Sequence, residues 1–107
     1  MARSTPTALD DARRVQTGTL AALGARSPAI TLGGDWNLTI FGTFSAAVRL
    51  DRSFDGGTTW VPCTQSGLPV QFTVPASEIV SEIEPSVLYS LVVTIYNSGT
   101  VSWRASQ

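Results

Sequence analysis

From Ala29 onward, apolar and polar positions alternate with a period of two. Trp36, Leu38 and Ile40 fall on one side of a strand, with Asn37 and Thr39 on the other. Phe44, Ala46, Val48 and Leu50 repeat the pattern across Ser45, Ala47, Arg49 and Asp51. Val70, Phe72 and Val74 do the same across Gln71 and Thr73. The longest stripe is Val87, Tyr89, Leu91, Val93 and Ile95, and Val101, Trp103 and Ala105 close the chain. Such alternation is what a sheet with one buried face requires. Leu88 and Val92 add apolar residues to the second face of the longest strand, which predicts a central strand or one whose second face meets a partner.

Turn chemistry separates these runs at about ten-residue intervals, the spacing of a sandwich or small barrel. The turn signals are Gly33-Gly34, Gly56-Gly57, Ser66-Gly67 and Asn97-Ser98-Gly99. The pattern predicts an all-β fold, an antiparallel β-sandwich or small barrel of about seven strands, spanning residues 29–107. Residues 1–28 read differently. Their apolar residues (Leu9, Val15, Leu20, Leu23) are sparse, Thr7 to Arg14 has a weak helix-start signal, and Val15 to Leu20 alternates weakly. This region is expected to be an extended N-terminal arm that takes its structure from a partner. Its candidate contact residues are Arg3, Leu9, Arg13, Arg14, Val15, Leu20 and Leu23.

Charge sharpens the division. The arm carries four arginines against two aspartates, whereas the remainder carries three arginines against six acids. Over all 107 residues the net charge is −1, and only 14% of residues are charged, well below the usual quarter or so. A surface poor in charge favours association over repulsion. Every basic residue is arginine, which tolerates interfaces and stacks on aromatic rings better than lysine. The lack of a basic excess argues against a nucleic-acid partner. No apolar run is long enough to span a bilayer. Asp10, Asp11, Arg13 and Arg14 interrupt any signal-peptide core, so synthesis in the cytoplasm without visible export is expected.

The inventory for chemistry is short. There is no histidine, and Cys63 is the only cysteine. The commonest metal sites and the Ser-His and Cys-His nucleophile pairs are thereby excluded, and no phosphate loop exists without a lysine. Two carboxylate pairs remain, Asp51 with Asp55 and Glu82 with Glu84, and the second reads more simply as a solvated edge or turn beside Pro85. Cys63 reads as a partly buried filler, since no cation stands near it in sequence. No enzyme activity, metal or cofactor is expected. Trp36, Trp60, Trp103, Tyr89 and Tyr96 offer a platform for sugars, but Trp36 and Trp103 lie in phase with the aliphatic stripes and read as core.

The most informative local motif is Ser53-Phe54-Asp55-Gly56-Gly57-Thr58-Thr59-Trp60. It fits Ser-x-Asp-x-Gly-x-Thr-Trp and resembles the Asp-box hairpin of sialidases and other β-proteins. Asp55 accepts backbone N–H groups across such a turn, Gly56 and Gly57 supply positive φ, and Trp60 folds back over the loop opposite Phe54. Ser53, Asp55, Gly56, Gly57, Thr59 and Trp60 are therefore assigned a structural role.

A wider resemblance covers about residues 30–107. Gly34-Asp35-Trp36-Asn37-Leu38-Thr39-Ile40 leads through Val48-Arg49-Leu50-Asp51-Arg52 into the hairpin. Then follow Glu84-Pro85-Ser86-Val87-Leu88-Tyr89 and the closing Tyr96-Asn97-Ser98-Gly99-Thr100-Val101-Ser102-Trp103-Arg104-Ala105-Ser106-Gln107. This order of motifs resembles small β-sandwich virion proteins of tailed bacteriophages. The resemblance implies a capsid decoration (cement) protein on the capsid surface, made in the host cytoplasm and often trimeric, with the major capsid protein as its partner. A tail or head–tail accessory protein and a carbohydrate-binding module on the virion are the alternatives it leaves open.

Overall fold

The computed structural model describes residues 14–107, which form ten strand segments and, among the described residues, no helix. In chain order these are β1 Val15–Leu20, β2 Gly34–Phe41, β3 Phe44–Ser53, β4 Val61–Pro62, β5 Thr64–Gln65, β6 Leu68–Pro69, β7 Gln71–Phe72, β8 Ala76–Glu82, β9 Leu88–Gly99 and β10 Val101–Ser106. Six are full strands and four are two-residue pieces, so the expected count of about seven was close for the strands that build the body. One antiparallel sheet has the order β1-β10-β2-β8. In the other, β3 pairs with β9 along one edge and with β4 and β7 along the other. Their facing sides make a β-sandwich. Trp36, Leu38, Ile40, Val101, Trp103 and Ala105 from the first sheet meet Val48, Leu50, Tyr89, Leu91 and Val93 from the second in one buried cluster. The core stripes expected on β2, β3 and β10 are therefore present.

The two sheets are joined where the chain crosses between them twice at one corner. β2 passes into β3 through Gly42 and Thr43, and β9 passes into β10 through Thr100 alone. The crossings lie against each other, with the Thr100 N–H donating to the Thr43 carbonyl at 3.0 Å. Gly99 has φ +87°, and a Cβ there would lie 2.7 Å from the Phe44 Cα. Only glycine meets both conditions. Asn97-Ser98-Gly99, expected as a turn, is instead the end of β9.

Two further expectations are corrected. The boundary at residue 28 does not separate an arm from a body. Val15–Leu20 pairs with β10 over its whole length, and Leu20 is buried. Gly18 in this strand leaves room for the Trp103 indole, which a Cβ would approach to 2.9 Å. Residues 24–30 then run along the second edge of β9, with Gly24 N–H to the Val93 carbonyl at 2.9 Å, Ser27 N–H to Leu91 at 2.8 Å and Ile30 N–H to Tyr89 at 2.7 Å. β9 is thus internal, as its two apolar faces predicted. The stripe on β9 also ends early. The register against β3 shifts between Ala47 and Val48, which leaves Thr94 as an extra residue and Ile95 55% exposed. A bulge of this kind reverses which side chains face the core beyond it.

Candidate functional site

The side of the sandwich closed by residues 14–30 is sealed, and the opposite side is open. There the edge strand β8 of one sheet faces β4 and β7 of the other, together with the separate β5–β6 hairpin, across a groove of about 1300 Å³. The β5–β6 turn is Ser66-Gly67, with φ of 54° and 80°, the pair of positive values a type I′ hairpin needs.

At the base of the groove, Arg52 on β3 reaches across to Glu82 on β8. Its Nε and Nη2 donate to Glu82 Oε1 at 3.1 and 2.5 Å. The Tyr89 hydroxyl donates to the same oxygen at 2.7 Å, and the Glu84 N–H to the other at 2.9 Å. Glu82 is buried, so its expected place on a solvated edge is corrected: the pair ties the two sheets together. Burial opposes the Glu82 charge, but the Glu84 N–H, the Tyr89 hydroxyl and Arg52 outweigh it and hold the carboxyl below its ordinary range. Burial and the Glu82 charge push the Tyr89 phenol well up. Burial likewise pushes the nearby Cys63 thiol up to about 12. A general acid or base works best with a pKa near the ambient pH, and these three groups are all driven away from it.

A second polar cluster lies on the outer face of β3. Asp51, fully buried, accepts from Arg26 Nη2 at 2.9 Å and from Arg49 Nε at 2.7 Å and Nη2 at 3.1 Å. Ser27 and Ser90, also buried, are bonded to each other beside it. Asp51 is therefore not available as one half of a carboxylate pair with Asp55, which is exposed at the hairpin tip.

The hairpin has the predicted internal bonding. The Ser53 hydroxyl donates to Asp55 Oδ1 at 2.8 Å and accepts the Gly57 N–H at 2.9 Å, while the Thr59 N–H donates to Asp55 Oδ1 at 2.8 Å. Gly56 and Gly57 have φ of +76° and +95°. The Thr59 N–H and the Ser53 hydroxyl hold the Asp55 carboxyl down at about 2. Beyond the turn, the aromatic residues serve different arginines. The Arg26 guanidinium lies 5.1 Å from the Trp60 ring centre, and that of Arg52 lies 4.9 Å from Phe54. The hairpin thus covers the Asp51 cluster with one ring and the groove's ion pair with the other.

Among the described residues, the expected partner-binding positions do not gather. Arg3, Leu9 and Arg13 lie outside the described residues. Leu20 is core, which removes it from any contact surface. Arg14 and Val15 are exposed at the start of β1, and Leu23 is 68% exposed in the turn after it. The residues that do gather at the open side are Phe54, Val61, Leu68, Ile79 and Ile83, all exposed and apolar. Val61, Leu68 and Ile83 leave no trace in the sequence pattern, because an apolar residue in a loop or a two-residue strand has no period to reveal it. Arg52 and Glu82 carried one faint signal, since each places a charge in phase with a strand's inward-facing side.

Comparison with family models, with curated proteins and with solved structures finds no match for this chain.

Proposed function

We propose that this protein is a non-enzymatic structural component of a tailed-bacteriophage virion, a capsid decoration protein that binds the outer capsid surface and bridges major capsid protein subunits, itself assembling as a trimer. The observation that carries the binding role is the open side of the sandwich, where Leu68 is 69% and Ile83 97% exposed beside an edge strand. Exposed apolar residues gathered beside an unpaired edge favour contact with another protein. The low charge of the chain supports the same reading. Its virion setting rests on the order of motifs from Gly34 to Gln107. A lattice of capsid subunits would multiply weak contacts of this size into firm attachment.

The carbohydrate-binding alternative is less well supported. Trp36 and Trp103 are buried in the core, and Trp60 is engaged with Arg26, which leaves no row of exposed indoles for a sugar.

Sedimentation of the purified protein with capsids assembled from the major capsid protein tests the proposal. The expected result is saturable co-sedimentation at a stoichiometry of one copy or one trimer per repeating lattice site. Absence of co-sedimentation, or a copy number of only a few per virion located at the tail, would overturn the decoration reading.

A further inference from the structure

The two edge strands of the first sheet are treated differently. β1 is tied by its Gln16 side chain to the segment at residues 29–31: Nε2 donates to the Ala29 carbonyl at 3.0 Å, and Oε1 accepts the Thr31 N–H at 2.8 Å. No loop among the described residues is bonded along β8 in this way. β8 pairs only with β2, and no other backbone among the described residues bonds to its seven residues. Every second N–H and C=O along an edge points away from its sheet and needs either water or another extended backbone. The groove beside β8 is walled on its far side by exposed Val61 and Leu68, and its mouth carries Ile83. A second strand lying at the usual spacing of about 4.8 Å from β8 would bury these side chains.

Charge selects among occupants. Arg52 neutralises Glu82, but Glu78, exposed at the middle of β8, has no ion-pair partner among the described residues, and neither has Glu84 just beyond the strand. The edge is therefore acidic. A second copy is a poor occupant. Antiparallel pairing of two β8 strands centred on Ile79 would place the Glu78 carboxylates of both copies diagonally across the new ladder, where like charges repel.

We propose that the edge of β8 accepts an extended segment of a partner protein, about seven residues long to match the strand, with an arginine or lysine opposite Glu78 and an aliphatic residue opposite Val80. Backbone pairing supplies the affinity and the alternate side chains supply the selectivity. This deepens the proposed function and rests on it only in taking the partner to be a protein.

The test uses the full chain and capped synthetic peptides. The probes are Arg-Thr-Val-Val-Arg-Thr-Val, its counterpart with glutamate for both arginines, and the cationic peptide N-methylated at alternate amides. Hydrogen exchange of the Ala76–Glu82 amides is followed by NMR. The cationic peptide is expected to slow exchange along β8 and to bind at least about tenfold more tightly than the acidic one, a difference of about 1.4 kcal/mol. The N-methylated peptide is expected to leave exchange unchanged. Glu78→Arg, at an exposed position, is expected to reverse the charge preference without loss of fold. Unchanged exchange with the cationic peptide at millimolar concentration would overturn the proposal. So would equal binding of both charge forms, or a dimer in which the β8 amides are already protected. Capsid co-sedimentation of the same preparation separates the two readings. Binding to capsids with no protection of β8 by peptide would overturn the groove and leave the decoration role standing.

Discussion

Asp51 sits in mid-strand with its side chain buried and its carboxylate shared between Arg26 and Arg49. A buried carboxylate survives ionised only where donors replace its water. Both arginines keep part of their surface in solvent, so removing the acid does not strand two fully buried cations. Asp51→Ala is expected to cost about 2–3 kcal/mol, below the 3–5 typical of breaking a fully buried pair, read from urea unfolding curves. Acid should have the same direction of effect. Burial opposes the charge of Asp51, but its arginine bonds outweigh this and lower its pKa, and Glu82 is lowered likewise. The unfolded chain, with carboxyls titrating near 4, then binds protons that the folded chain does not. Stability from these groups is complete above about pH 4–5 and is lost as pH falls through the lower folded values. A plot of unfolding free energy against pH should fall on the acid side, and Asp51→Asn should flatten it. Asp51 could be placed on a strand face from the sequence. Its partner Arg26 could not, because only folding brings residues 25 positions apart into contact.

At the scale of elements, the alternation located β2, β3, β9 and β10, and turn glycines marked most of their ends. It failed at the β9–β10 join. Asn97-Ser98-Gly99 has turn composition, yet the glycine serves a close crossing of two segments of the chain rather than a reversal. Gly99→Ala is expected to cost about 3 kcal/mol or more, since it adds a left-handed non-glycine residue to a steric clash with Phe44. The measurement is a thermal melt beside Gly67→Ala, a positive-φ glycine with no atom near the added Cβ. That control should lose less. The stripe through Ile95 departs from its alternation for a related reason. A bulge is set by the partner strand, and an unbroken run of alternating residues gives no sign of where the register will slip.

For the whole molecule, the question is where the folded body begins. Composition placed that boundary at residue 28, because residues 15–28 are polar and lightly apolar. Their pairing with β10 and β9 makes them structural. Removal of residues 1–28 would strip β1, expose Trp103 beside the lost Gly18, and unpair the edge of β9. That deletion is expected to abolish cooperative unfolding, which a circular dichroism melt of the truncated protein beside the full chain checks. The same topology explains why one side of the sandwich is sealed and the other open. The strand that would close the β8 side has no counterpart among the described residues.

The all-β class, the inward faces of β2, β3 and β10 and the bonding of the Ser53–Trp60 hairpin were determined by the sequence alone. Each depends on local rules: the two-residue period of a strand, the positive φ of glycine, and the reach of a serine or aspartate to its neighbours. Only the tertiary structure decided that residues 15–28 belong to the body, that Arg52 and Glu82 clamp the sheets, and that an acidic strand edge stands open beside a groove. Those features depend on which strands become neighbours. That is settled by long-range pairing and burial, which a local pattern does not encode.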